Sequence, residues 1–254
     1  MNGDFLALLP KQTFPQLAPV NAPPTEHVQG TTVFAFHCAE GVIIAGDHRA
    51  TAGNVIFSDT TEKILELDSH SLMAIAGVPA TAFEMARTLQ TSFEFYRRSQ
   101  LQPMSLHAKI RALSRLLREN LPATLQGFGV VAPIFAGVEV SDPKAKPAIY
   151  FYDPLGAQFE AASFSGSGSG SGSIKSVLHF LEKWGDPAPA EMSLNEAVTL
   201  ATRLLMTAAQ FDSATGGVQP DRQLWATIKL LSRDGIRSIS MDEQERCWKE
   251  TVVA

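Results

Sequence analysis

Residues 31–46 read TTVFAFHCAEGVIIAG, and the parsing of this stretch decides the fold. TTVFAFH and GVIIAG are short apolar runs, and the AEG between them is turn-prone, which reads as two adjacent strands. SLMAIAG at 71–77 supplies another. Upstream, residues 1–30 carry prolines at 10, 15, 19, 23 and 24 with no sustained periodicity. Such a segment forms neither a long helix nor a central strand and reads as an extended leader. Downstream of Pro79, apolar residues at 82, 83, 86, 89, 93 and 96 fall on one helical face. Ser105 then caps a second helix, with 106, 110, 113, 117 and 121 turned inward.

Strand character returns in GVVAPIFAGVEV, AIYFYD and AQFEAASF, with DPLG as the turn between the last two. Ile174, Val177, Leu178, Leu181 and Trp184 mark a third helix, and a capping box of Ser193 and Glu196 opens a fourth that runs through Phe211. WATIKLL, SRDG and IRSISM close the chain as a hairpin. Strands, two helices, strands, two helices and strands is neither the alternation of a parallel α/β fold nor an all-β pattern. Two mainly antiparallel sheets packed face to face, with helices outside, bury all these apolar faces. The expected class is α+β, a four-layer α-β-β-α sandwich. SGSGSGSGS at 165–173 has the composition of a flexible linker, but its place between a strand and a helix argues for an ordered role.

The chain has 254 residues, 45% of them hydrophobic, and a net charge of −5. It is long enough for a sizeable core, and neither its charge nor any Lys/Arg block points to nucleic acid or an anionic membrane. Cys38 and Cys247 are far apart, which supports no disulfide framework or zinc site and fits a reducing compartment. FLALL at 5–9 follows Asp4 and is too short for a span, so no export signal is read. His37, His48, His70, His107 and His179 lack metal-ligand pairing, and no metal or cofactor is expected. Trp184, Trp225 and Trp248 read as packing residues.

The Gly-Thr-Thr step at 30–32 sits just ahead of the first strand. Cut after Gly30, Thr31 would carry a primary amine and a hydroxyl, a base and a nucleophile on one residue. An α-amine with a reference pKa of about 7.7 to 8.0 can take the hydroxyl proton near neutrality, so no histidine is needed. The β-methyl of threonine restricts its torsion. Before cleavage the nitrogen is an amide and cannot act as base, which makes the leader a silencing segment. Gly30 lacks a Cβ and lets the backbone bend while the Thr31 hydroxyl reaches the preceding carbonyl.

In order along the chain follow GDHRAT at 46–51, Lys63 after a glutamate, AIAG ending at Gly77, the Gly-Ser run and DSATGG at 212–217. With Gly30-Thr31, this set resembles the β-subunits of the 20S proteasome, within the N-terminal-nucleophile hydrolases, over residues 30 to about 240. The resemblance implies a leader over 1–30 removed by self-cleavage at Gly30-Thr31, a zymogen step, and a peptidase domain over 31–254. It implies that Thr31 is the nucleophile, that Lys63 lies beside it and disfavours protonation of the amine, and that Asp47 holds Lys63. Arg49 braces this charge cluster. Gly77 offers its N–H to the developing oxyanion. Asp212 and Thr215 match an Asp and Ser pair around the terminal amine, with threonine in place of serine. A further serine completes that network, and counting back from Ile174 selects Ser169, while the repeat also offers Ser167 and Ser171. His48, inside GDHRAT, is a candidate for tuning the pH response.

By the same resemblance the pocket for the residue before the scissile bond is walled by Ala50, Thr51, Thr61, Leu65, Ile75, Pro79 and Phe83. These walls carry no charge and favour apolar side chains, a chymotrypsin-like preference. The resemblance further implies seven-membered homo-oligomeric β-rings stacked in pairs, α-subunit rings, an ATPase ring that unfolds proteins, and a cytoplasmic setting. The alternatives are a peptidase ring like bacterial HslV, a small-molecule amidase of the same superfamily, and a structural ring subunit that is never processed. Retention of Thr31, Asp47 and Lys63 together argues against the last.

Overall fold

A computed structural model of the chain describes residues 31–52, 55–219 and 224–252. The leader assigned to 1–30, and with it Gly30, lies outside the described residues.

The opening stretch forms β1 (Thr32–Cys38) and β2 (Gly41–Gly46), joined at the Ala39-Glu40 turn. Nearly every residue of both strands is buried, because each strand is covered on both faces. Val33, Ala35, Val42 and Ile44 point into the space between two sheets, whereas Phe34, Phe36, Ile43 and Ala45 point to an outer helical layer. That two-sided burial explains why the sequence shows continuous apolar runs where a half-exposed strand would alternate with polar residues.

Next come a short ribbon, β3 (Ala50–Ala52) with β4 (Val55–Ser58), and the strands β5 (Ile64–Asp68) and β6 (Ser71–Ala74). Two helices follow, α1 (Pro79–Gln100) and α2 (Leu106–Glu119), then a single turn, α3 (Leu121–Leu125). Pro79 begins α1, where its missing N–H costs nothing, and the Ser105 hydroxyl accepts a bond from Ala108 N at the start of α2. The chain then runs through β7 (Ile134–Gly137), β8 (Ala148–Tyr152), β9 (Gln158–Ala161) and β10 (Phe164–Gly168). It continues with α4 (Ser171–Trp184), α5 (Leu194–Phe211), β11 (Thr227–Ser232), β12 (Gly235–Ser238) and α6 (Met241–Val252).

One sheet has the order β10-β1-β2-β11-β12 and the other β5-β6-β7-β8-β9, both antiparallel. Their facing sides share one apolar cluster; α1 and α2 pack on the outside of the second sheet, and α4, α5 and α6 on the outside of the first. The expected four-layer sandwich is therefore the observed one. The capping box at α5 is also present, with the Glu196 carboxylate accepting bonds from Ser193 N and Oγ.

Two expectations are corrected, for the end of the chain and for Trp184, and the ordered role expected of the Gly-Ser run is observed. The chain does not close on the β11-β12 hairpin, because α6 follows it and packs Cys247 into the core. Trp225 and Trp248 pack against that core, but Trp184 is 70% exposed and lies against Phe180 on the outer face of α4. The Gly-Ser run is split between two regular elements. Its first residues pair with β1 as β10, and its last residues form the first turn of α4.

Candidate active site

Thr31 stands immediately before β1 and is 5% exposed. Three elements meet around it because of strand register. In the β1-β2 pair Val33 faces Gly46, so Asp47 falls opposite Thr32: the Thr32 N–H donates to Asp47 Oδ1 at 3.2 Å. In the β1-β10 pair Thr32 faces Gly168, so Ser169 falls beside Thr31 and donates its N–H to the Thr31 carbonyl at 3.0 Å. Lys63 arrives from the other sheet, just ahead of β5, and its Nζ reaches Asp47 Oδ1 at 2.7 Å.

Asp47 has no exposed side-chain surface, and its two oxygens take four donors. Oδ1 accepts from Thr32 N and Lys63 Nζ, and Oδ2 from Arg49 N at 3.0 Å and Gly216 N at 2.7 Å. A buried carboxylate so fully bonded is held in one place. Lys63 Nζ also donates to the Arg49 carbonyl. Burial pushes the Lys63 ammonium below the ordinary lysine range, and the charge and hydrogen bond of Asp47 oppose that shift without cancelling it. Arg49 braces the cluster from outside, with Nε on Asp59 Oδ1 at 3.0 Å and a terminal nitrogen 3.3 Å from the Ser213 carbonyl.

A second arm comes from the end of α5. Asp212 caps the helix, and its Oδ2 accepts from Ser169 Oγ and from Thr215 Oγ1, each at 2.6 Å. Burial raises this carboxyl, but the bonds from Ser169, Thr215 and Ala214 N, with the charge of Lys63, outweigh it and hold Asp212 below the usual range. Of the serines in the repeat, Ser169 is the one bonded to Asp212. Ser167 Oγ donates instead to the Ala132 carbonyl at 2.7 Å, and Ser171 is buried at the start of α4.

Two glycines at the site, one of them in the repeat, are fixed by their surroundings. Gly168 has φ +94°, and a Cβ there would lie 1.6 Å from the Thr31 carbonyl oxygen. Gly77 has φ +112° and bridges to Val131, and a Cβ would lie 2.1 Å from the Val130 carbonyl oxygen. Both positions require glycine. Of the expected pocket residues, Leu65, Ile75 and Phe83 come together in the apolar cluster under α1, and Pro79 begins that helix. Ala50 and Thr51 lie on the ribbon. Thr61 donates its N–H to the His48 carbonyl at 3.0 Å, and its own carbonyl is 3.3 Å from His48 Nδ1.

Thr32 is a residue that the sequence reading missed. It is completely buried, with Oγ1 2.6 Å from Thr215 Oγ1 and 3.0 Å from Gly170 N. A signal existed: Thr32 shares a strand face with Phe34 and Phe36, and a hydroxyl on a core-facing position needs a buried partner. Cys38 and Cys247 are both buried, and burial raises both thiols, so neither is a ready nucleophile. Among the described residues no group of three or more His, Cys, Asp or Glu side chains is placed to hold a metal ion, and no helix is long and apolar enough to cross a membrane.

The arrangement places a hydroxyl-bearing residue next to a buried ammonium-carboxylate pair and a second, hydroxyl-linked carboxylate. In the full-length chain Thr31 N is an amide, so a base is added to this set only when the bond to Gly30 is cut. Comparison with known proteins agrees with the motifs. The family model for proteasome subunits matches residues 27–219. A proteasome subunit beta of Acidothermus cellulolyticus is 35% identical over 94% of this chain and 81% of its own length. A proteasome subunit beta 2 of Thermomonospora curvata is 36% identical over 99% of this chain and 89% of its own, and a proteasome subunit beta of Stackebrandtia nassauensis 36% over 89% and 79%. Sandwich, motif order and relatives coincide: the chain belongs to the proteasome β-subunit family.

Proposed function

We propose that this chain is an N-terminal threonine endopeptidase of a proteasome core particle, made active by self-cleavage between Gly30 and Thr31. The observation that carries the reading is the convergence of two carboxylate arms, Lys63-Asp47 and Ser169-Asp212-Thr215, on the backbone of Thr31 and Thr32. After cleavage the Thr31 amine takes the proton of its own hydroxyl, and Oγ1 attacks the peptide carbonyl carbon. The tetrahedral oxyanion is met by the Gly77 N–H. Collapse expels the amine of the C-terminal fragment, which takes the proton, and leaves an ester on Thr31. Water, deprotonated by the Thr31 amine, then attacks the ester, and the amine returns that proton to Oγ1 as the acid fragment leaves. Lys63 favours the neutral amine by its charge, and Asp47 fixes Lys63 in place.

By the family resemblance Leu65, Ile75 and Phe83 wall the pocket; all three belong to the apolar cluster under α1, and an apolar wall would favour cleavage after hydrophobic residues. The working form is a double ring of seven β-subunits per ring, flanked by α-subunit rings and fed with unfolded protein by a cytoplasmic ATPase. Sequestration inside such a chamber keeps folded proteins from the site.

The test is the intact mass of purified, assembled protein beside a Thr31→Ala control, alone and with any candidate α-subunit. Wild type should lose residues 1–30 and the control should keep them. The processed form should cut fluorogenic peptides fastest after large apolar residues. A leader retained in every assembled ring would overturn the peptidase reading, and fastest cleavage after Arg or Asp would overturn the pocket assignment.

A further inference from the structure

The hydroxyls beside Asp212 form a chain whose direction is fixed. An ionised carboxylate can only accept, so Thr215 gives its one proton to Asp212 Oδ2 at 2.6 Å. The 2.6 Å contact between Thr215 and Thr32 is therefore donated by Thr32 Oγ1, which in turn accepts the N–H of Gly170 at 3.0 Å. The order is Gly170 N–H to Thr32, Thr32 to Thr215 and Thr215 to Asp212. Thr32 is 0% exposed, so solvent cannot replace a missing member. The space around the chain is closed as well: a Cβ on Gly170 would lie 2.4 Å from Thr215 Oγ1 and 2.7 Å from Thr32 Oγ1.

The backbone of the same residue belongs to the other arm. Thr32 N–H donates to Asp47 Oδ1, the oxygen that holds Lys63, and the Thr32 carbonyl accepts from Asp47 N at 3.4 Å. One residue adjacent to Thr31 is thus bonded through its main chain to the lysine arm and through its side chain to the Asp212 arm. We propose that Thr32 is a positioning residue that locks the two arms to each other, so that the amine and hydroxyl of Thr31 are presented to both at once. Two separate anchors would leave the Thr31-Thr32 step free to shift on one of them. The side-chain link fixes the spacing, and the β-methyl groups of Thr32 and Thr215 restrict their torsions. This inference rests on the threonine peptidase reading.

The experiment compares full-length, assembled wild type, Thr32→Val, Thr32→Ser, Thr215→Val and the double variant Thr32→Val/Thr215→Val, with Thr31→Ala as control. Processing is read by intact mass, and rates are taken per processed subunit. Thr32→Val keeps the shape and removes the hydroxyl, so kcat should fall about 10- to 100-fold with KM unchanged. Thr32→Ser should restore most of the rate. The double variant should be no worse than the poorer single variant, since one chain can be broken only once. A Thr32→Val enzyme with wild-type kcat, a Thr32→Ser enzyme as poor as Thr32→Val, or multiplying effects in the double variant would each overturn the proposal.

If Thr32→Val stays unprocessed, the same question is read on cleavage itself: Thr32→Ser restoring it supports the link, and Thr32→Ser failing alike overturns it. If Thr32→Val is insoluble, Thr32→Ala removes the hydroxyl without crowding and takes its place under the same criteria. The underlying reading fails separately. Wild type that is never processed, or Thr31→Ala as active as wild type, removes the peptidase and this link together. A processed, active wild type with a dead Thr31→Ala leaves the peptidase standing whatever Thr32 does.

Discussion

Two buried lysines, one at each end of the sandwich, carry the same chemistry to different ends. Lys63 and Lys109 are each 1% exposed and each ion-paired with an aspartate, at 2.7 and 2.6 Å. Lys109 extends from α2 to Asp68 at the end of β5, and its Nζ lies 5.6 Å from the centre of the Phe93 ring. The other partners of Asp68, Ser71 Oγ and His70 N, belong to the same β5-β6 hairpin, and its side chain keeps 27% of its surface exposed. This pair is a staple between one helix and one hairpin. The partners of Asp47 come from β1, from the residues after β2 and from the loop after α5, so the Lys63 pair is complete only when both sheets and α5 are in place. A staple can be cut and the rest of the molecule keeps its shape, whereas the Lys63 pair reports on the whole assembly of layers.

Replacing each lysine by methionine breaks the comparison most sharply. Lys63→Met should lower peptidase activity and self-processing by about 100- to 10,000-fold, the range for removing a group that sets a proton transfer. Lys109→Met should leave the activity per processed subunit unchanged. Peptide hydrolysis and intact mass measured on the two variants side by side decide this, and equal losses would erase the distinction.

Stability is where the staple should show. Asp68→Asn leaves the Lys109 cation over Phe93 without its counter-ion, at a cost of about 2 to 3 kcal/mol, below the full range for buried pairs because Asp68 is partly solvated. For a chain of this size that is a fall of about 5 to 10 °C in Tm by thermal unfolding.

Acid sharpens the same contrast. Burial raises the Asp68 carboxyl, but the charge and hydrogen bond of Lys109, with the bonds from Ser71 and His70 N, hold it below its ordinary value of 3.8. Above that value the group is ionised in folded and unfolded chains alike, and its stabilisation is complete. As pH falls below it the unfolded chain binds a proton that the folded chain does not, so stability is lost until the folded carboxyl protonates too. The Tm gap between wild type and Asp68→Asn should therefore be constant from neutrality down to about pH 4 and close below it. A gap that persists at lower pH would assign the loss to packing.

The faintest contrast lies on the Lys63 side. Gly172 faces open space in the first turn of α4, so Gly172→Ala should stabilise by about 0.5 to 1 kcal/mol, while Gly170→Ala, two residues earlier, should disrupt the site. Denaturant unfolding measures the first and peptide hydrolysis the second.

The sequence was most legible where burial follows a simple period. β1, β2, α1, α2 and α5 announce themselves by apolar runs or by one apolar stripe, and the sandwich follows from needing to cover them all. The ribbon did not, because Val55, Ile56 and Phe57 are 67%, 51% and 84% exposed and form no inward face. Nor did α6, whose sequence MDEQERCWKETV is mostly polar, although Ser240 and Glu243 form a reciprocal pair at its start that could have been read. Trp184 sits on the helical stripe in sequence, but the stripe turns outward at the end of α4.

The site was legible in a different way. Asp47, Lys63 and Asp212 came from the order of motifs, since the bonds that join them to other elements span from 15 residues, Thr32 to Asp47, to 169, Asp47 to Gly216, and leave no local trace. Thr32 escaped because its partners, Thr215 and Gly170, are far away in the chain.

A strand repeats every two residues and so does the Ser-Gly run in β10, so a slip of one unit would put the same residue type opposite Thr32, Val33, Phe34 and Ala35. Within the repeat nothing marks which serine belongs to Asp212, which is why counting alone left three candidates. The register is dictated at the margins, where Phe164 pairs with Phe36 and Ile174 enters the core. A gained or lost Ser-Gly unit would thus be felt at Phe164 or at the start of α4, while another, chemically identical serine took the place beside Thr31. Tandem repeats are where gene replication slips most readily, and this one lies where a slipped unit would restore the residue that it displaced.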